Sequence, residues 1–332
     1  MIDNTNNLLI ATSNYKSIFF CLCLSFILTS LLLYVTVPFF RKILLDIPNT
    51  RSSHVNPKPT GGGLIFVITT ILLSTSFGDF LPLKCLPLAL IGFVDDINNI
   101  PAKYRYMVQV ATSSLLLYDS PISNYLYSSF SSYIAIFVLI FLVFLSTAII
   151  NFINFMDGID GLVASNMLII FIYGSLFINS FLWIFVGALF AFLKWNWFPS
   201  KIFMGDTGST FLASIFIGSI LKAKTLNVGI SFAVLGFPLL FDAFVCVFRR
   251  LFAGESIFGA HKLHLYQRLQ QSGLKHSSVS LIYILGTSTL FISLSFLGNL
   301  AISLNIFIIV IISIWLDHKV AQPFNLMLNK RN

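Results

Sequence analysis

Charge is what this sequence has least of. Its 332 residues include only 20 Lys and Arg and 12 Asp and Glu, 10% in all, where a soluble domain carries about 25%. So few charged groups cannot solvate a globule of this size, which excludes a soluble enzyme. Cysteine is scarce as well. Cys21, Cys23, Cys85 and Cys246 all lie inside apolar runs, as small buried hydrophobes do, and no disulfide is implied. No His/Cys cluster of zinc type stands out along the chain. The alternation of a membrane β-barrel is missing, and so are an internal repeat and a soluble domain. The first apolar segment is too long for a signal-peptide core and lacks a small-residue cleavage site, so it reads as a span.

Apolar residues are there instead: 57% hydrophobic, 15% aromatic, with a mean hydropathy of +0.91. The fold class expected is an all-α polytopic membrane protein forming one integral-membrane domain over 1–332. Spans of roughly 20 apolar residues, some shorter, are expected near 17–38, 62–78, 82–94, 105–118, 133–153, 159–178, 180–194, 207–222, 226–248, 278–298 and 300–316. The count is ten or eleven. With eleven spans and an external N-terminus, 16 of the 20 Lys and Arg fall in cytoplasmic segments, as the positive-inside rule requires. The net charge of +8 then meets anionic lipid and an anionic substrate; no nucleic-acid partner is implied.

That topology puts five polar clusters on one face: RSSHVNPKPTGGG, VDDINNIPAKYR, NFINFMDGIDGL, KIFMGDTGST and AHKLHLYQRLQQSG. Asp95, Asp96, Asp157, Asp160 and Asp206 sit in them at span ends. Acids at membrane depth are costly and usually face the bundle interior or water. Five converging carboxylates need a cation, and carboxylate, carbonyl and water oxygens suit Mg²⁺, which commonly also takes substrate phosphates. Each cluster also has a plain reading. Asp157 and Asp160 suit a turn and an N-cap, and GDTGS suits a capped helix start whose N–H groups approach a phosphate. Two aspartates together with Asn151 and Asn154 exceed what a cap needs. Read as a helix, His261 and His264 share a face, as do His264 and Arg268, and such a basic face pairs with phosphate. Arg51, His54 and Lys58 surround the PTGGG turn, either as topogenic charges or as substrate contacts. Asp242 is placed to pair with Arg249 or Arg250, or to face the cavity.

The motifs PTGGG at 59–63, DDINNI at 95–100, NFINFMDGIDGL at 151–162, GDTGS at 205–209 and HKLHLYQR at 261–268 occur together, in order, across about 50–275. In this the chain resembles the polyprenyl-phosphate N-acetylhexosamine-1-phosphate transferases, the glycosyltransferase family 4 membrane enzymes. The spaced histidines and the YQR make it more similar to the O-antigen type initiators than to the phospho-N-acetylmuramoyl-pentapeptide transferases. The resemblance implies a multi-pass bacterial inner-membrane enzyme with its active site facing the cytoplasm. Its partners are undecaprenyl phosphate, a UDP-N-acetylhexosamine and the lipid bilayer, and assembly as a homodimer stays open. The implied cofactor is Mg²⁺, with Mn²⁺ as a substitute. Carried over by motif, Asp206 is the principal metal ligand, with Asn154 beside it as ligand or diphosphate contact. Asp95 and Asp96 lie by the lipid phosphate. Asp157, Gly158 and Asp160 meet the nucleoside and diphosphate, and Asn151 and Lys58 belong to the same substrate shell. His261, His264 and Arg268 contact diphosphate and sugar. Asp95, Asp96 and Asp157 are the catalytic candidates. Direct attack by the lipid phosphate and a two-step route through an aspartyl-phosphate both fit the sequence. An anion-coupled transporter is the rival class, but transporters hold their sites at the midplane.

Overall fold

The structure, a computed structural model, describes residues 2–48, 56–255 and 261–329; Arg51 and His54 lie outside the described residues. Helices occupy all eleven intervals expected from the apolar runs: α1 (Ile2–Ile43), α2 (Gly62–Ser76), α3 (Leu81–Asn98), α4 (Ala102–Tyr118), α6 (Ser132–Phe155), α7 (Leu162–Phe177), α8 (Leu182–Asn196), α9 (Gly205–Leu221), the pair α10 (Leu226–Leu235) and α11 (Phe237–Phe252), α13 (His276–Ile292) and α14 (Asn299–Lys319). Shorter elements join them: α5 (Pro121–Ser129), α12 (Leu265–Gln271), α15 (Phe324–Asn329), a π turn at Ser293–Leu297, and a two-residue antiparallel pair of β1 (Leu45–Asp46) with β2 (Lys58–Pro59).

Fewer helices than expected meet the length and composition of a membrane span. Among the described residues four do: Ile18–Ile43, Ser132–Phe155, His276–Leu297 and Leu300–Lys319. A fifth is reached only if α10 and α11, bent by 70°, are taken as one span. The expected continuous span at 226–248 is broken because Pro238 opens α11, where a proline has no N–H to give and its ring crowds the preceding turn. Helices α2, α7 and α8 are apolar but only 15, 16 and 15 residues long. At 1.5 Å per residue that is roughly 22–24 Å, short of a ~30 Å hydrocarbon core.

Helix α9 is the axis of the bundle. Thr207 through Ser219 are all buried, and α2, α3, α4, α6, α7 and α10 pack around it. Small residues allow this. A Cβ at Gly63 would lie 2.6 Å from the Cα of Gly208, and one at Gly92 would lie 2.6 Å from the Asp206 carbonyl. Backbones therefore touch where α2, α3 and α9 meet, the usual device of membrane helix interfaces. The PTGGG turn is stitched to the strand of chain before α9: Phe203 N–H donates to Pro59 O (2.9 Å), Gly62 N–H to Phe203 O (2.9 Å) and Gly63 N–H to Met204 O (3.0 Å). All four described cysteines are free.

Candidate active site

The end of α3 and the start of α9 meet through one carboxylate. Asp96 accepts from the backbone N–H of Asp206 (2.8 Å) and Thr207 (3.2 Å) and from the Thr207 hydroxyl (2.7 Å). A side chain from another helix thus caps α9 and places negative charge at the positive end of its dipole. The N–H groups that the sequence offered to a phosphate are taken by Asp96.

Asp95 and Asp206 converge on a cation. Asp95 Oδ2 accepts from Arg105 Nη1 at 2.6 Å, and the same nitrogen donates to Asp206 Oδ2 at 2.9 Å. Asp95 Oδ1 also accepts the Ile100 N–H at 2.6 Å. Arg105 enters from the first turn of α4 and is one-third exposed. By residue type alone it is one more basic residue near a helix start. The signal that marks it is its place ten residues after Asp95 inside VDDINNIPAKYR.

The last turn of α6 completes this wall. The Asn154 side-chain oxygen accepts from Ser209 at 2.5 Å, and Asn151 pairs its amide with that of Gln109 at 2.8 and 3.1 Å. Arg105, Gln109, Asn151, Asn154 and Asp206 line one small cavity of about 10 Å³, room for about one water-sized group. Asp206 and Asn154 supply oxygen donors there, and the set fits a hard divalent cation better than a soft one.

Between α6 and α7 the segment 156–161 carries the next two acids, with opposite fates. Asp157 is half-buried, and its carboxylate accepts no hydrogen bond among the described residues. Burial, then the charges of Asp206, Asp96 and Asp160, push its pKa well up. Asp160 is 1% exposed and fully engaged. It accepts from Ser200 N–H (3.0 Å) and Ser200 Oγ (2.8 Å), and stands 3.4 Å from both Lys58 Nζ and His276 Nδ1. Burial alone would raise its pKa, but hydrogen bonding from His276 and Ser200 and the Lys58 charge outweigh it and hold it at about 2. Lys58 also donates to Ser200 at 2.8 Å. Asp160 and Lys58 therefore form a latch joining β2, the 156–161 segment, the loop before α9 and α13.

The fifth cluster reaches the same end of the bundle through Tyr266. Its hydroxyl donates to Phe155 O at 2.9 Å, beneath Gly158. A Cβ at Gly158 would lie 2.1 Å from that hydroxyl oxygen, so the glycine of the DG turn is set by a side chain more than a hundred residues away. His264 stacks near Phe155 and Tyr266. The expected helix over 261–268 begins only at Leu265, with His264 as its N-cap, so the face shared by His261 and His264 is not helical. Asp242 explains the start: it accepts Leu265 N–H (2.8 Å), Tyr266 N–H (3.1 Å) and the Tyr283 hydroxyl (2.6 Å). Arg249, one of the partners expected for it, pairs with Asp317 instead. Arg268, 2% exposed, donates to Leu263 O (3.1 Å) and Gln322 O (2.9 Å) and pairs with Asp317. Its charge is spent on the C-terminal segment and does not face the acids.

Residues 80–224, from α3 to α9, match glycosyl transferase family 4. Over 322 residues the chain is 30% identical to the "Probable undecaprenyl-phosphate N-acetylglucosaminyl 1-phosphate transferase" of Bacillus subtilis (strain 168), across 88% of this chain and 89% of the relative. The chain belongs to glycosyl transferase family 4. This family 4 chain is also 27% identical over 310 residues to the phospho-N-acetylmuramoyl-pentapeptide-transferase of Staphylococcus carnosus (strain TM300), across 80% of this chain and 95% of the relative. A shorter match, 33% over 120 residues, joins it to the decaprenyl-phosphate N-acetylglucosaminephosphotransferase of Mycobacterium tuberculosis (strain ATCC 25618 / H37Rv), across 30% of this chain and 28% of the relative. The family-matched stretch holds Asp95, Asp96, Asn154, Asp157, Asp160 and Asp206, the acids and amide that the fold gathers.

Proposed function

We propose that the protein transfers N-acetylhexosamine-1-phosphate from a UDP-sugar to undecaprenyl phosphate at the cytoplasmic face of a bacterial inner membrane, which the chain crosses ten or eleven times. The observation that carries this reading is the convergence of Asp95 and Asp206 on Arg105, beside Asn154 and the undonated carboxylate of Asp157. An oxygen of the lipid phosphate attacks the β-phosphorus of the UDP-sugar. The new phosphorus–oxygen bond forms as the bond to the α-phosphate oxygen breaks, and the electron pair leaves with UMP. A phosphate monoester has its second pKa at about 6 and is already largely dianionic at neutral pH. No strong base is then required, and Asp95, held by Arg105 and the Ile100 N–H, orients rather than deprotonates.

Both reactants are anions, so the protein's task is charge placement and alignment. Asp206 and Asn154 would hold Mg²⁺, or Mn²⁺ in its place, and the bound ion would supply positive charge opposite the diphosphate and UMP. Arg105 adds a cation that exchanges a carboxylate for a substrate phosphate oxygen. Asp96 and Asp160 act indirectly, by fixing α9 and the 156–161 segment. Gly158, exposed on the DG turn, borders the nucleotide. The product is the lipid-pyrophosphoryl sugar that initiates O-antigen or another surface polysaccharide.

The test is UMP release by purified protein with Mg²⁺, undecaprenyl phosphate and a panel of UDP-sugars. Release with UDP-N-acetylhexosamines supports the reading. A second reading, pentapeptide transfer, draws on the 95% coverage of the Staphylococcus relative; activity only with UDP-N-acetylmuramoyl-pentapeptide would establish it instead. No UMP from any donor rejects both.

A further inference from the structure

The sequence shows no zinc spacing, yet folding assembles a zinc-type ligand set. Cys246 lies in α11, fifteen residues before His261. In the structure its sulfur and one nitrogen from each of His261 and His264 all lie within 4.8 Å of one another. Cys246 is 3% and His264 2% exposed, and the two imidazole rings are 5.0 Å apart. Zinc bonds to nitrogen and sulfur of about 2.0–2.3 Å imply ligand separations of about 3.5 Å, so the three atoms need to close by only about 1 Å.

Two further observations favour an ion. Asp242 Oδ1 stands 3.8 Å from His264 Nδ1, where a carboxylate behind the imidazole orients the ring and leaves its other nitrogen for a metal. Cys246 also lines a cavity of about 280 Å³ together with Asp242, Leu263 and Arg268, which gives an ion a route to the sulfur. The acid cluster offers only oxygen and suits Mg²⁺. This set offers one soft sulfur and two imidazoles, the ligands of zinc and its transition-metal neighbours.

We infer that Cys246, His261 and His264 form a second metal site, specific for Zn²⁺-class ions and separate from the acid cluster. Binding displaces the thiol proton of Cys246 to solvent as the sulfur–metal bond forms. Three protein ligands leave a fourth position for water or an anion. The ion ties the 261–264 segment to α11 directly before α12, whose Tyr266 supports the DG turn. The site does not depend on the transferase reading.

The experiment loads the purified full-length chain with ZnCl₂, removes free metal and measures zinc per chain, then repeats the loading with CoCl₂ and records the absorption spectrum. The expected result is about one zinc per chain, undisturbed by excess Mg²⁺, and a thiolate-to-cobalt charge-transfer band. Cys246→Ser and His261→Gln should each weaken zinc binding at least about tenfold, as loss of a group in a metal site does. Cys23→Ser and Asp206→Asn should keep it. Wild-type protein without stoichiometric zinc, or a cobalt spectrum without the thiolate band, overturns the inference even if the Cys246 variant does not fold. Unchanged zinc binding by folded Cys246→Ser overturns it as well. UMP release from the same samples reports on the transferase reading separately.

Discussion

Arg105 and Asp206 meet at 2.9 Å across 101 positions of sequence, and the same guanidinium nitrogen holds Asp95 at 2.6 Å. One arginine thus sets the distance between the end of α3 and the start of α9. Arg105→Ala should lower kcat/KM for lipid-dependent UMP release by about 10²–10³, the usual cost of deleting one aligned donor. Arg105→Lys should restore only part, because an ammonium lacks the planar fork that meets two acceptors at once. Steady-state kinetics on both variants decide this; a fully active alanine variant would remove Arg105 from the account.

Asp206 supplies a carboxylate to the cavity it shares with Asn154. Asp206→Asn should abolish transfer by weakening divalent-cation binding. A Mg²⁺ titration of residual activity checks it. Full activity at unchanged Mg²⁺ dependence would refute the ligand role.

Gly158 and Tyr266 form a size-matched pair. Gly158→Ala places a methyl 2.1 Å from the Tyr266 hydroxyl oxygen, so this variant should be destabilised and poorly active. Tyr266→Phe removes that oxygen together with the bond to Phe155 O. The double variant should therefore recover part of the loss, with a coupling energy of about 1–2 kcal/mol in a thermal-unfolding cycle. Additive effects would show that the two do not act through this contact.

Asp160 should make the fold acid-sensitive. Its folded pKa of about 2 lies below the ordinary 3.8. The carboxylate therefore contributes stability that is fully present above about 4 and lost as pH falls toward 2, since the unfolded chain takes up the proton first. Asp160→Asn should cost about 1–3 kcal/mol at neutral pH, from lost charged hydrogen bonds, and should flatten the melting-temperature profile between about pH 4 and pH 2. A profile as steep as wild type would place the acid sensitivity elsewhere.

Much of this was legible in the sequence, for definite reasons. Apolar runs separated by polar clusters predict the helices, and each expected interval is helical. Paired acids at helix ends predict convergence, and Asp95 and Asp206 do converge. What stayed hidden depends on partners distant in sequence. Asp96 and Asp160 look like Asp157 as residue types, but the first caps α9 from 110 residues away and the second is latched by Ser200 and Lys58, 40 and 102 residues away. Arg268 looks like a phosphate-binding cation until Asp317 and Gln322 engage it. Cys246 looks like one more buried hydrophobe because the histidines it meets lie beyond the end of its helix. The break before Pro238 is masked in the sequence by the apolar run on both sides of that proline.

The central claim is that a sugar phosphate moves, and not the sugar alone. Purified protein should be given UDP-N-acetylglucosamine with a radiolabelled β-phosphate, together with undecaprenyl phosphate and Mg²⁺. The account predicts that the label passes into the lipid product and that unlabelled UMP is released. Release of labelled UDP, with no label in the lipid, would contradict it.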